Sequence, residues 1–177
     1  SFKPGRNREW QPRSPCRTFY FRHVRWWDVD THHRYSHMSI PFPSEEWIVE
    51  WREQLNDNDE YAEKGQGWGV GFNGDFVFHI RADDRLTDDR YFFIALDDGT
   101  CTEAREIDSP DEVDAGFVYR GDYADWVALN QGDIGPIDGM MSGVFDIEGD
   151  MQKVLQYSEA AVAMSETGQR IDTEYSY

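Results

Sequence analysis

Lysine is almost missing from this chain: Lys3, Lys64 and Lys153 are the whole supply. The bases that do occur are unevenly placed. Residues 1–37 carry eight lysines and arginines against three acids, a net +5. The rest of the chain carries nine bases against 32 acids, a net −23. A body that acidic repels nucleic acid and anionic membranes, so neither is expected as its partner. An acidic, lysine-poor composition is that of proteins from extreme halophiles, where salt screens the self-repulsion of the compact state. A haloarchaeal origin is the reading it suggests.

Other things are scarce too. Two cysteines, Cys16 and Cys101, provide no disulfide framework and no metal-ligand spacing. No run approaches the roughly 20 apolar residues that span a bilayer, and the first residues lack an apolar signal core. A cytoplasmic protein without a stable membrane anchor is expected. Beyond His37 the only histidine is His79, alone on its segment. There is no GxSxG elbow, HExxH pair or P-loop. Carboxylates are so abundant that any pair of them is uninformative; Asp146 and Glu148 are most simply a solvated strand face. No catalytic residue, no metal and no cofactor is therefore expected, and the chain reads as a non-enzyme.

Apolar residues make up 39% of the chain and aromatics 15%, enough for a core built from about 140 residues. Residues 1–37 mix arginine, aromatics and proline with no sustained period. Four of the five histidines (His23, His32, His33 and His37) lie there without a carboxylate or cysteine at ligand spacing. The composition changes abruptly at Met38. We read 1–37 as a basic, disordered extension, a tag or a start placed too early, and 38–177 as the domain.

From Met38 onward the pattern is regular. Ser44 followed by Glu45 and Glu46 opens a helix over about 44–56, with Trp47, Ile48, Trp51 and Leu55 on one stripe. Glu60–Lys64 can add a turn. Gly69, Gly71 and Gly74 satisfy GxGxxG literally. The segment after them alternates Phe76, Phe78 and Ile80 against Val77, His79 and Arg81. That is a strand, so the helix needed for dinucleotide binding is absent. Tyr91–Leu96, the Asp98-Gly99 turn and Thr100–Ile107 read as a hairpin, and residues 115–121 as a fourth strand. Asp122 is placed to cap a helix that Gly132 stops. Pro136 starts a short helix ending before Gly143. VFDIEG, residues 144–149, reads as a fifth strand. Asp150 caps a single last helix striped by Met151, Val154, Leu155, Ser158 and Val162, with Gly168 as its stop and an irregular tail. Strands that run together, with helices gathered at the ends, indicate an α+β fold.

The run from Asp114 to Ala161 resembles the sterol carrier protein 2 family of nonspecific lipid-transfer domains. The resemblance rests on an ordered set: Tyr123 and Trp126, Leu129 with Gly132, Gly135-Pro136, Gly143, Ile147, then Gly149-Asp150-Met151. With the upstream strands and first helix it covers roughly residues 44–165. It implies a five-stranded mixed sheet with helices packed on one face and an apolar tunnel between them for sterols, fatty acids or acyl-CoA. The acidity of this chain departs from the basic patches of eukaryotic members and argues against acyl-CoA.

The resulting expectation is a module that binds, and in this family can transfer, a hydrophobic small molecule or lipid. Expected pocket-lining residues are Phe76, Phe78, Trp126, Leu129, Met140, Met141, Met151 and Leu155. Methionine suits such a wall because it is unbranched and adaptable. The alternative is a non-catalytic interaction module of the same fold, serving as a homodimer or as an accessory to an enzyme. The −23 body carries its own prediction. The melting midpoint should climb from low to multimolar KCl; a flat midpoint would remove the halophile inference.

Overall fold

The computed structural model describes residues 38–177; the segment 1–37, with Cys16 and four histidines, lies outside the described residues. The chain enters through a two-residue strand, β1 (Ile40–Pro41). Ser44 then caps α1 (Glu45–Asn56), its hydroxyl accepting from the Trp47 N–H. Glu45 and Glu46 sit in the first turn, where the free N–H groups favour negative charge. Trp47, Ile48, Trp51 and Leu55 are the buried stripe of α1. At its far end the Asn56 amide grips Cys101, accepting from its N–H at 2.8 Å and donating to its carbonyl at 2.9 Å. One side chain thereby does what a neighbouring strand would do and holds the helix to the sheet. Asn58 caps the short α2 (Asp59–Lys64).

The glycine segment after α2 is a run of turns, with Gly69 and Gly71 at φ +81° and +79°, a region that side-chain-bearing residues rarely adopt. It delivers the chain into β2 (Phe76–Arg81). β3 (Arg90–Asp97) and β4 (Thr100–Ile107) form a hairpin about Asp98 and Gly99, both at positive φ, as a tight two-residue turn requires. A 3₁₀ turn (Pro110–Glu112) leads to β5 (Phe117–Asp122), then α3 (Tyr123–Gln131) and α4 (Pro136–Met141). β6 (Asp146–Glu148), α5 (Met151–Gln156), α6 (Ser158–Gln169) and β7 (Thr173–Glu174) complete the chain.

Five strands make one mixed sheet in the order β4-β3-β2-β5-β6. β2 and β5 are parallel, and the other pairs are antiparallel. Because side chains alternate across a strand, Phe76, Phe78 and Ile80 of β2 face the helices together with Phe92, Ile94, Phe117 and Tyr119. The opposite face holds a smaller cluster of Val77, Phe93 and Ile107, flanked by Val113 and Ala115 from the β4–β5 connection. The fold is α+β, with its helices on one face of the sheet.

Four expectations need correction. The last helix is two helices: the chain breaks at Tyr157 (φ −106°, ψ 30°), where the Tyr157 ring packs edge-on against Trp68 at 5.3 Å. The break changes the phase. Met151 and Val162 of the expected stripe are exposed, while Val154, Ala160, Ala163 and Thr167 are buried. Gly168 lies inside α6 rather than ending it. A β-carbon there would stand 3.4 Å from the Trp47 ring, an ordinary van der Waals contact. The tail is also ordered, because β7 pairs with β1 in parallel (Ile40 with Thr173) and Ile171 is buried. Finally, β6 is only three residues long, since Phe145 leaves the ladder to stack on Tyr119 at 4.8 Å.

Phe145 is 1% exposed, and a β-carbon on Gly121 would meet its ring at 2.5 Å. Gly121→Ala should therefore cost about 1–3 kcal/mol of stability by overpacking, read as a lowered urea midpoint with an unchanged slope.

Candidate ligand cavity

Between the aromatic face of the sheet and the helices lies a cavity of about 90 Å³. Its floor is Phe76, Phe78 and Ile80 of β2. Its walls come from Trp47 and Trp51 of α1, Trp126 and Leu129 of α3, and Met164 of α6. The rings contact one another across it: Phe78 stands 5.8 Å from Trp51 and 5.4 Å from Trp126. A tryptophan carries one polar atom, and in each of these it is occupied. Trp47 Nε1 donates to Thr173 Oγ1 at 2.9 Å, Trp51 Nε1 to the Met164 carbonyl at 3.1 Å, and Trp126 Nε1 to the His79 carbonyl at 3.1 Å. Tyr119 donates its hydroxyl to the Pro136 carbonyl at 2.7 Å, and burial pushes its phenol pKa up. The Ser44 hydroxyl is taken by the α1 cap. What remains on the wall is hydrocarbon, apart from the Asn130 side chain and the Ser165 hydroxyl.

A second cavity of about 30 Å³ adjoins the first, lined by Tyr61, Trp68, Leu96 and Tyr157. Phe76, Val154, Ala161 and Met164 belong to both walls. Here too the indole is satisfied, Trp68 Nε1 donating to the Gly74 carbonyl at 2.8 Å.

Of the eight expected lining residues, the structure brings four to the larger cavity: Phe76, Phe78, Trp126 and Leu129. Met140 is buried in the core but off the wall, and Leu155 is half-buried against the core, also off it. Met141 and Met151 point outward, 65% and 40% exposed. The reason is local. Met141 ends the six-residue α4, and Met151 is the first residue of α5, whose phase is decoupled from α6 by the break at Tyr157. The methionine on the wall is Met164. Its position was not legible because it depends on that break. Trp51 and Ile80 were legible, being on the same stripe and strand face as residues already singled out.

The opposite face of the sheet carries the polar chemistry. His79 is not alone. Its Nε2 lies 2.8 Å from Asp89 Oδ2, and Arg120 Nε donates to its Nδ1 at 2.9 Å. The Tyr91 ring stacks on the imidazole at 4.4 Å between centroids. Arg120 also reaches Glu148 at 2.9 Å, and Arg81 pairs with Asp122 at 2.8 Å and Asp146 at 3.5 Å. The Ala82 N–H, and next the imidazole, hold the Asp89 carboxyl below the usual range. A general base needs a free ring nitrogen directed at a substrate, and both nitrogens of His79 are engaged. The cluster therefore serves to join β2, β3, β5 and β6. Among the described residues no group of three or more His, Cys, Asp or Glu is arranged to hold a metal ion.

A mixed sheet roofed on one face by helices, with an aromatic cavity between the two layers, defines a two-layer α+β domain. The model of the SCP-2 sterol transfer family matches residues 53–162, and the chain belongs to that family. Two solved structures show the same fold. A crystal structure of sterol carrier protein 2 superposes with a TM-score of 0.64 at 21% identity, covering 72% of this chain and 97% of the other. The solution structure of a conserved hypothetical protein of Thermus thermophilus, described as a candidate sterol carrier, gives 0.65 at 21% identity, covering 74% and 90%. No curated protein matches the chain. No described helix is long and apolar enough to cross a membrane.

Cys101 is fully buried, donates its thiol to the Glu103 carbonyl, and is pushed up to about 12 by that burial. It is therefore a packing residue and not a nucleophile. Burial likewise raises Tyr61, with the nearby Cys101 adding to the effect. For these acids the folded pKa lies above the unfolded one, so their contribution to stability is full below the unfolded values. It is lost as the unfolded chain ionises, from about pH 8.5 for cysteine and about pH 10 for tyrosine. Urea midpoints should hold to about pH 8 and fall toward pH 12. Cys101→Ala should make that fall shallower by one proton.

Proposed function

We propose that this chain binds a hydrophobic small molecule or lipid in the cavity between sheet and helices, as a carrier and without chemistry of its own. The supporting observation is the wall: four large aromatic side chains, Phe78, Trp47, Trp51 and Trp126, face one hollow, and the three indole N–H groups are turned to protein acceptors. Membership of a sterol transfer family supports the same reading. Each methylene moved from water into such a site is worth about 0.8 kcal/mol. A dozen offer roughly 10 kcal/mol before ordering and association costs, which take back a large part. Micromolar affinity requires about 8 kcal/mol, so favourable cases need few polar contacts and no catalyst.

At about 90 Å³ the hollow holds only part of a long chain, since a cavity of about 150 Å³ is already filled by benzene. Joining it to the second hollow of about 30 Å³ still falls short of that, so a long ligand also needs wall side chains to move aside. Val154, Ala161 and Met164 stand between the two cavities, and Met164 has the rotatable thioether chain that can swing aside. The setting we propose is a salt-rich cytoplasm, with no nucleic-acid partner and no stable membrane anchor. The alternative reading, a homodimeric or accessory module with a closed cavity, would show itself in the same experiments.

Protein purified without detergent should release near-stoichiometric lipid into organic solvent, read by mass spectrometry. It should also bind a fluorescent fatty probe saturably in multimolar KCl. Leu129→Trp, which fills the cavity from α3, should weaken probe binding about tenfold or more, with melting used to confirm folding. An empty extract and no saturable binding would sink the carrier reading. Concentration-dependent dimerisation alongside that result would favour the alternative.

A further inference from the structure

Asn130 carries the one fully buried side-chain donor on the wall that is left without a partner among the described residues; the Ser165 hydroxyl is the other polar group there. Asn130 sits in the last turn of α3, is 8% exposed, and lines the larger cavity among hydrocarbon neighbours. Its Nδ2 is fully buried and has no hydrogen-bond partner among the described residues. A buried amide donor left unpaired is costly and uncommon. The nearby candidates are engaged elsewhere: the Ser44 hydroxyl with Pro41 and Trp47, and Thr167 Oγ1 with the Ala163 carbonyl and the Asn58 amide. Burial raises the Tyr175 phenol, with the Thr173 and then the Asn130 side chain acting against it; Tyr175 thus brings a hydroxyl near the amide, but not at a geometry that satisfies Nδ2.

The charge of the wall decides what could satisfy this donor. No lysine, arginine, histidine, aspartate or glutamate lines the cavity. A carboxylate brought into it would be desolvated with only a neutral amide and the Ser165 hydroxyl as compensation, which is a poor exchange. An uncharged oxygen loses far less on leaving water and needs only one donor. We propose that Asn130 is the specificity-determining residue of the cavity: its Nδ2–H donates to a carbonyl or hydroxyl oxygen of an otherwise hydrocarbon ligand. The class selected is an uncharged lipid with a buried oxygen function, in preference to a fatty-acid anion. This rests on the carrier reading above and adds to it the ligand's polarity and the residue that senses it.

The test compares three probes of equal chain length: an n-alkane, the corresponding methyl ketone and the corresponding fatty acid. Affinities are measured at pH 8 in multimolar KCl. Between wild type and Asn130→Leu, the affinity of the ketone relative to the alkane should drop about fivefold. Alkane binding itself should hold or tighten, and the fatty acid should gain no advantage over the ketone in the wild type. Comparing ratios removes differences in aqueous solubility between the probes. Tyr175→Phe, which removes the neighbouring hydroxyl, should leave the ketone ratio unchanged; a fivefold drop there would assign the donor to Tyr175 and overturn the role of Asn130. Should Asn130→Leu not fold, the wild-type complex with a ¹³C=O ketone still decides the matter. Its carbonyl stretch should fall below the value in hexane if Asn130 donates to it. Ketone and alkane that bind in the same ratio to wild type and Asn130→Leu, or a stretch equal to that in hexane, would overturn this inference and leave the carrier reading intact. If no probe binds at all, both fall together.

Discussion

Each tryptophan that touches either cavity has its indole N–H bonded to a protein oxygen, on Thr173, Met164, His79 or Gly74. The interior of this domain depends on that arrangement. An indole is large and apolar except at one edge; with the edge tied down, the rest of the ring can face a hollow without drawing water into it. The same bonds fix where the rings stand. Trp47 ties α1 to the C-terminal strand, Trp51 ties it to α6, and Trp126 ties α3 to β2. The walls are thus hung from the scaffold by polar bonds and meet one another only through hydrocarbon.

The sheet separates two kinds of chemistry. On the helix side, alternate residues of β2 and its neighbours are aromatic or aliphatic. On the other side, His79, Arg81 and Arg120 are matched by Asp89, Asp122, Asp146 and Glu148. Exposed pairs of this kind contribute about 0–1 kcal/mol each and are weakened by salt. In a body with so many acids their larger effect is to place the scarce arginines where carboxylates would otherwise repel across adjacent strands. One layer of backbone therefore carries an apolar face toward the helices and a charged face on the other side.

The cavity is small, and its two parts are divided by side chains rather than by backbone. Small residues surround the division: Ala161 on both walls and Gly168 near the end of α6. Close packing of α6 on α1 leaves the space defined by Trp47, Asn130 and Met164, whose side chains differ in stiffness. The indole is fixed by its bond to Thr173, the amide donor is unpaired, and the thioether is flexible.

Much of this could be read from residue order alone. Ser44 with Glu45 and Glu46, the alternation Phe76-Phe78-Ile80, Asp98-Gly99 and Gly132 each set a local structure by short-range physics: a cap, a strand face, a turn of positive φ, a left-handed stop. The resemblance from Tyr123 to Met151 identified the family for the same reason, since it rests on turns and faces within one continuous segment. The phase of α6, the pairing of β7 with β1 and the partners of His79 were not legible, because each depends on residues 10 to 133 positions away meeting in space. Asn130 is the sharpest case. Its identity is plain in the sequence, but its unpaired donor exists only because α1, α3 and α6 enclose it, and burial is a property of the assembled layers that no local pattern encodes.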